Sequence, residues 1–247
     1  MKFSDAVKIG FDTETTGVDP SNARIVTAAL IVRGGGRTIR SFQWLIDPGV
    51  EIPEEAAAIH GVTTERARAE GRKPRGALDE IAGNLATALS RQSPVIAFNL
   101  SYDWTVLDAE LRRNGLPVMS ERLAIEPRTL VDPHVIDKAV DKYRRGSRKL
   151  QPTCEHYGIE LNDWHSADAD ASAAVLLSEK LFERFPYLGL MRPADLYQSQ
   201  REWRKEQAAS LQRYFRNERK SGDKYNPDAV VNGEWPIQST DVEEVAA

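Results

Sequence analysis

Hydrophobic positions in the N-terminal part of the chain fall in short runs of strand length and strand repeat. Residues 7–12 are apolar, 24–32 are rich in β-branched side chains, and 38–46 alternate before the turn Asp47-Pro48-Gly49. Three consecutive glycines, Gly34 to Gly36, mark a hairpin between the second and third of these strands. The repeat then becomes helical, with short pieces over 54–59 and 63–69 separated by His60-Gly61, and a longer helix over 76–90 built on Leu78, Ile81, Leu85 and Leu89. Residues 94–98 predict a fourth strand, and 102–114 a helix closed by Asn114-Gly115. A fifth strand fits 128–131, followed by Asp132-Pro133, which suits a helix start with a side-chain cap and a proline in the first turn. Two more helices fit 149–157 and 168–185. The order β-β-β-α-β-α-β-α-α predicts an α/β fold whose five-stranded sheet is of mixed direction and is closed near residue 186.

After Pro186 the pattern changes. Residues 195–220 are polar, with arginines, glutamines and scattered aromatics, and read as a helix outside the core. The stretch 221–247 holds Asn226-Pro227, Asn232-Gly233 and Trp235-Pro236 and ends acidic, so little regular structure is expected there. The predicted organisation is a domain over 1–186, a helical extension over 187–220 and a mostly irregular tail over 221–247. A chain of 247 residues can bury a sizeable core. The single cysteine, Cys154, forms no internal disulfide, and no apolar run reaches the roughly 20 residues that span a bilayer. Without a signal-peptide pattern, a soluble cytoplasmic protein is expected, with no membrane partner. The net charge of −4 argues against a broad basic face for duplex DNA. It leaves room for a local site in which bound cations, rather than lysines, neutralise phosphate.

The candidate chemistry lies where strands end and helices begin. Asp12 and Glu14 are two apart in Phe11-Asp12-Thr13-Glu14-Thr15, so a strand aims both carboxylates to one side. Alone, such a pair is more often a solvated strand end. Asp103, in Phe98-Asn99-Leu100-Ser101-Tyr102-Asp103, falls in the first turn of a predicted helix, where an anion is favoured and where a simple cap explains it equally well. His165-Ser166-Ala167-Asp168-Ala169-Asp170 opens the last long helix of the domain. A helical His165 would point well away from Asp170, so it is expected in the preceding loop, with Ser166 or Asp168 as the cap. In isolation such a histidine is more often an exposed ion-pair partner.

Together the segments Asp12-Thr-Glu14, Asn99 to Asp103, and His165 with Asp170 five positions later resemble the three ordered motifs of the DEDDh, or DnaQ-like, exonucleases, the family of the proofreading subunits of replicative DNA polymerases. The resemblance covers roughly residues 7 to 186. In the sister DEDDy group a tyrosine stands four positions before the last aspartate, where this chain has Ser166. The resemblance implies an RNase H-like fold and 3′-to-5′ exonuclease activity dependent on two Mg²⁺ or Mn²⁺ ions. Asp12, Glu14, Asp103 and Asp170 would be the metal ligands. It further implies that Asp12, Glu14 and Asp170 share one ion, that Asp12 and, through water, Asp103 share the other, and that His165 is the general base. Thr15 would contact the terminal 3′-hydroxyl through its backbone, and Phe98 and Asn99 would border the terminal nucleotide. Ile59 and His60, in Ala58-Ile59-His60-Gly61-Val62-Thr63, resemble the family element that packs beside a base, although His60 also suits a helix-end turn held by backbone.

Single-stranded nucleic acid 3′ ends, DNA before RNA, are the expected substrate, with nucleoside 5′-monophosphates as product. RNA trimming or degradation of short oligoribonucleotides is the alternative within this chemistry, and a non-catalytic binding module of the same fold is the alternative outside it. A polymerase or other protein could dock on the C-terminal helix, where Trp203, Tyr214 and Phe215 either cover the core, meet a partner or stack on bases. The basic run Lys142, Arg144, Arg145, Arg148 and Lys149 is either solvated surface or a guide for phosphates. His134 and His156 read as structural.

Overall fold

The computed structural model describes residues 3–160 and 166–239. Its sheet is formed by β1 (Lys8–Thr15), β2 (Ile25–Gly34), β3 (Arg37–Leu45), β4 (Val95–Ile96) and β5 (Leu130–Val131) in the order β3-β2-β1-β4-β5. The first three strands are antiparallel neighbours, and β4 and β5 add in parallel to β1. Gly35 and Gly36 take positive φ values of 58° and 76°, which lets two residues turn β2 into β3. β1 extends beyond the apolar run 7–12 and, as the strand spacing of the two acids predicts, carries Glu14, opposite Thr27. The β-branched Thr13 and Thr15 favour that continuation by packing inward, while Asp12 and Glu14 take the other face.

Helices α1 (Glu54–His60), α2 (Thr64–Glu70), α3 (Pro74–Ser90), α4 (Leu100–Arg113) and the short α5 (Met119–Arg122) precede β5. They are followed by α6 (Pro133–Val140), α7 (Leu150–His156), α8 (Ala167–Arg184), α9 (Pro193–Phe215) and α10 (Glu218–Ser221). Alternation along β2 separates the two faces of the sheet. Ala28 and Leu30 join Phe11 and the apolar sides of α3 and α4, whereas Ala29 and Ile31 meet Ala167 and Ala171 of α8. This small-residue seam continues at Gly10, where an added Cβ would lie 2.4 Å from the Ala171 carbonyl oxygen and 2.8 Å from Val175 Cγ2. Glycine is therefore what allows α8 to lie directly on β1.

The C-terminal helix is not outside the core. Leu196, Tyr197, Gln200 and Ala208 form a buried stripe at helical spacing along α9, and Trp203 packs partly against both large hydrophobic clusters. The glutamine in that stripe hides it from a search for apolar periodicity, yet Gln200 has a specific task. Its Nε2 donates to the Leu130 carbonyl at 3.0 Å and its Oε1 accepts the Asp132 N–H at 2.7 Å, so one side-chain amide caps the open edge of β5 as a further strand would. Residues 225–239 hold no helix or strand, as expected, but they are anchored: Trp235 is buried against Tyr197 with ring centroids 5.1 Å apart. Among the described residues no helix is long and apolar enough to cross a membrane.

Candidate active site

The end of β1, the first turn of α4 and the first turn of α8 meet on one side of the sheet. Asp12 and Glu14 come from alternate positions of β1, and Asp170 reaches them because Ala167, Ala171 and Gly10 bring α8 close. Each of the three offers a carboxylate oxygen, and these oxygens lie within 4.8 Å of one another. Such crowding of like charge out of bulk water favours protonation unless a cation is present. Burial, then Asp103, Asp170 and Glu14, holds the Asp12 carboxyl well above the usual carboxylate range. Burial with Asp170 and Asp103 pushes Glu14 up to about 8. Neither Asp12 nor Glu14 has a salt-bridge partner among the described residues. Oxygen donors in this arrangement fit a divalent cation.

Asp103 stands beside this group and is held from behind. Its Oδ1 accepts the Thr13 N–H at 3.0 Å and the Thr13 hydroxyl at 2.7 Å. Burial nonetheless raises its carboxyl to about 7, with the Thr13 bonds opposing that rise. α4 starts at Asn99, which adopts the left-handed conformation at φ 63°, one of the few non-glycine residues that do so readily. The turn is fixed by Asp132, a residue with no exposed surface. Asp132 accepts from the N–H groups of Asn99 at 3.1 Å and Leu100 at 3.0 Å, and from those of His134 at 3.0 Å and Val135 at 3.3 Å. It therefore caps two helices at once, α6 by sequence neighbourhood and α4 across the sheet, and it also receives the Trp235 indole N–H at 3.3 Å.

Thr15 is buried, its hydroxyl donating to the Gly17 carbonyl at 2.9 Å and lying 2.5 Å from the Tyr102 hydroxyl. Tyr102 also donates to the Gly17 carbonyl, so the residue before Asp103 ties down the chain that follows Glu14. The hairpin register shifts between Glu14 and Thr15, which sends Val26 into a cluster with Ile52, Val62 and Ala67. That cluster secures the α1–α2 corner. Here His60 Nδ1 accepts the Val62 N–H at 3.2 Å, and burial lowers the imidazole pKa against an opposing contribution from the Thr15 backbone. Ile59 projects outward, 59% exposed. Phe98 is half-buried and tilts against the His134 ring at 5.0 Å. Ser166 is the N-cap residue of α8 without a side-chain bond, and its carbonyl accepts the Asp170 N–H at 3.0 Å. His165 lies outside the described residues.

Other sequence candidates separate. Arg144 and Arg148 of the basic run turn inward to Asp137, whereas Lys142, Arg145 and Lys149 are exposed. His156 Nε2 lies 3.4 Å from Asp141 Oδ2, a partner that is not at helical spacing. The roles of Asp132 and Tyr102 were missed by sequence reasoning. Asp132-Pro133 signals only the local cap, and nothing local reports the contact of a tyrosine with residues more than eighty positions earlier.

Comparison with known proteins gives one assignment. The PolC-type DNA polymerase III of Streptococcus suis (strain 98HAH33) is 28% identical over 171 residues, which is 69% of this chain and 11% of that protein. The PolC-type enzyme of Thermotoga maritima is 26% identical over 194 residues, 78% of this chain and 13% of that one. The chain thus spans about a tenth of the length of these curated relatives. Among solved structures, E. coli exonuclease I in complex with a dT13 oligonucleotide superposes with a TM-score of 0.62 at 21% identity, over 74% of this chain and 43% of the other. An exonuclease I complex with SSB-Ct gives 0.63 at 20% identity, over 84% and 46%. These likenesses establish the RNase H-like fold, with the mixed sheet and the flanking helices described above. The exonuclease family model, RNase_T, matches residues 9–177, and the chain belongs to that family, within its DnaQ-like 3′-to-5′ branch.

Proposed function

We propose that this chain removes nucleotides one at a time from the 3′ end of single-stranded DNA, using two divalent cations held by Asp12, Glu14, Asp103 and Asp170. The observation that carries this reading is the convergence of three carboxylates from β1 and α8 within 4.8 Å, two of them pushed toward protonation by burial and mutual repulsion. Asp12, Glu14 and Asp170 would hold one cation, and Asp12 with Asp103 the second. When bound, the pair supplies a water of lowered pKa and neutralises charge on the phosphoryl group and the leaving 3′-oxygen.

The remaining work falls to the chain. Thr13 orients Asp103 through backbone and hydroxyl at once, so the carboxylate needs little reorganisation on binding. Tyr102 and Thr15 fix the backbone after Glu14, where the terminal 3′-hydroxyl would rest. The half-buried Phe98 and the exposed Ile59 offer apolar surface to the last base. His165 would accept the proton of the attacking water as its oxygen bonds to phosphorus and the bond from phosphorus to the 3′-oxygen breaks, leaving a nucleoside 5′-monophosphate and a new 3′ end. Single-stranded DNA is preferred as substrate because the fold matches exonuclease I bound to dT13. On this reading residues 1–186 form the exonuclease domain, 187–220 the helical extension and 221–247 the tail. The outer face of α9 is open to a protein partner such as a polymerase.

The test is release of label from 3′-labelled and 5′-labelled single-stranded DNA with Mg²⁺, with Mn²⁺ and with a chelator, for the wild type, Asp170→Ala and His165→Ala. The expected result is immediate loss of the 3′ label, a descending ladder from the 5′-labelled strand, and no release in chelator or in Asp170→Ala. His165→Ala should lose turnover and keep metal binding. Release from RNA alone would move the substrate to RNA. No release from either polymer would leave a binding module.

A further inference from the structure

We infer that Lys138 of α6 and Arg204 of α9, beside His134 and Phe98, form an anion site that takes a backbone phosphate of the substrate strand; this rests on the nuclease reading above. α6 and α9 cross where Gln207 Nε2 donates to the Val135 carbonyl at 2.9 Å. Arg204 lies one turn before Gln207, and Lys138 one turn after His134, so each helix presents a cation near the crossing. His134 in turn carries the ring that meets Phe98 at 5.0 Å, and Phe98 immediately precedes Asn99, the residue that opens the helix bearing Asp103.

Among the described residues no carboxylate pairs directly with these cations. Neither Lys138 nor Arg204 makes a hydrogen bond or ion pair among the described residues, and the buried Nε of Arg204 has no partner. The two aspartates whose charge acts on them are engaged elsewhere. Asp137 is taken by Arg144, Arg148 and the Tyr157 hydroxyl. Asp132 is taken by four backbone N–H groups and the Trp235 indole. Each cation is half-buried, and burial followed by repulsion from Arg204 and Arg148 lowers the Lys138 pKa against the weaker opposing pull of Asp132 and Asp137. His134 is pushed down to about 3 by burial and then by Lys138 and Arg204, so it stays neutral and adds no charge of its own. A protein interior keeps partly desolvated like charges together at a cost in stability, and an arriving anion reverses that cost. A phosphodiester suits a guanidinium fork and an ammonium point charge with a flat aromatic wall beside them.

The test is steady-state hydrolysis of labelled single-stranded DNA over a series of salt concentrations by the full chain, Lys138→Gln and Arg204→Gln, with thermal melts of each. Each variant should raise KM by about tenfold, the size of one charge-assisted contact, while kcat at saturating strand stays near the wild-type value. Each should flatten the slope of log KM against log salt by about 0.7 and melt at a higher temperature than the wild type. A variant with unchanged KM and salt slope, or one with lower kcat and a lower melting temperature, would overturn the inference. Anisotropy of a fluorescein-labelled oligothymidylate in chelator makes the same comparison without turnover. A wild type that binds but does not cleave sinks the nuclease reading alone, and equal affinities in all three proteins sink the anion site. Inorganic phosphate at constant ionic strength separates strand from free ion: weak competition is expected, and tight phosphate binding that leaves strand affinity intact would overturn the assignment to a strand.

Discussion

Two acidic groups in this chain, one buried and one half-buried, are treated in opposite ways. Asp137, whose side chain is 1% exposed, is surrounded by its own counter-charges, with Arg144 at 3.0 Å, Arg148 at 2.7 Å and the Tyr157 hydroxyl at 3.0 Å. Asp12 and Glu14 face more acid instead, Asp170 and Asp103, and the fold provides no cation there among the described residues. In the first case folding completes the electrostatics. In the second it leaves a deficit that a proton or a bound cation must fill, and this difference separates a strut from a site better than burial or charge does.

The comparison can be broken most directly by removing one acid from each group. Glu14→Gln should lower nucleotide release by on the order of 10²–10³-fold while the metal-free protein melts no lower than wild type, since one repelling charge is gone. Asp137→Asn should act the other way, destabilising the fold by about 3–5 kcal/mol in urea titration because two half-buried arginines lose their partner. If Asp137→Asn unfolds at wild-type urea while Glu14→Gln collapses, the distinction is wrong. A smaller effect is expected from Gly10→Ala. Its methyl would meet the Ala171 carbonyl at 2.4 Å, so α8 must back away from β1 and carry Asp170 with it. Such overpacking costs about 1–3 kcal/mol, and the Mn²⁺ concentration for half-maximal activity should rise; an unchanged Mn²⁺ requirement would show that α8 does not set the spacing.

The mildest test is titration. A carboxyl whose folded pKa is raised binds more protons folded than unfolded, so its stabilisation is complete below the unfolded value and disappears as pH climbs through the folded one. For Glu14 that window runs from 4.5 to about 8. In chelator the melting temperature should therefore fall across that range, and Mg²⁺ or Mn²⁺ should restore it most strongly at the alkaline end. A flat profile with metal-independent melting would place Glu14 in ordinary solvent.

The parts of this site that the sequence discloses are those written in local geometry. A two-residue strand repeat brings Asp12 and Glu14 together, and helix starts locate Asp103 and Asp170, so the carboxylates are legible without the fold. What escapes is long-range and polar. Gln200 passes for a surface residue because glutamine usually is one, and its burial follows only from the open edge of β5. Tyr102 reads as a helix aromatic until its hydroxyl is seen against Thr15 and Gly17. Lys138 and Arg204 lie on separate helices about sixty-six positions apart in the sequence, and their isolation is a property of neighbours already paired with others.

Asp132 gives the fold a timetable. Its bonds to Asn99 and Leu100 join groups 33 and 32 residues apart, whereas its bond to Trp235 spans 103 residues, and Gln238 donates to Thr105 across 133. On a ribosome adding about 5–20 residues per second, the cap of α4 is assembled roughly 5 to 20 s before the indole that covers it emerges. The helix bearing Asp103 is thus set first and sealed last, and a nascent chain paused between those events would expose the buried aspartate at the base of the helix to water.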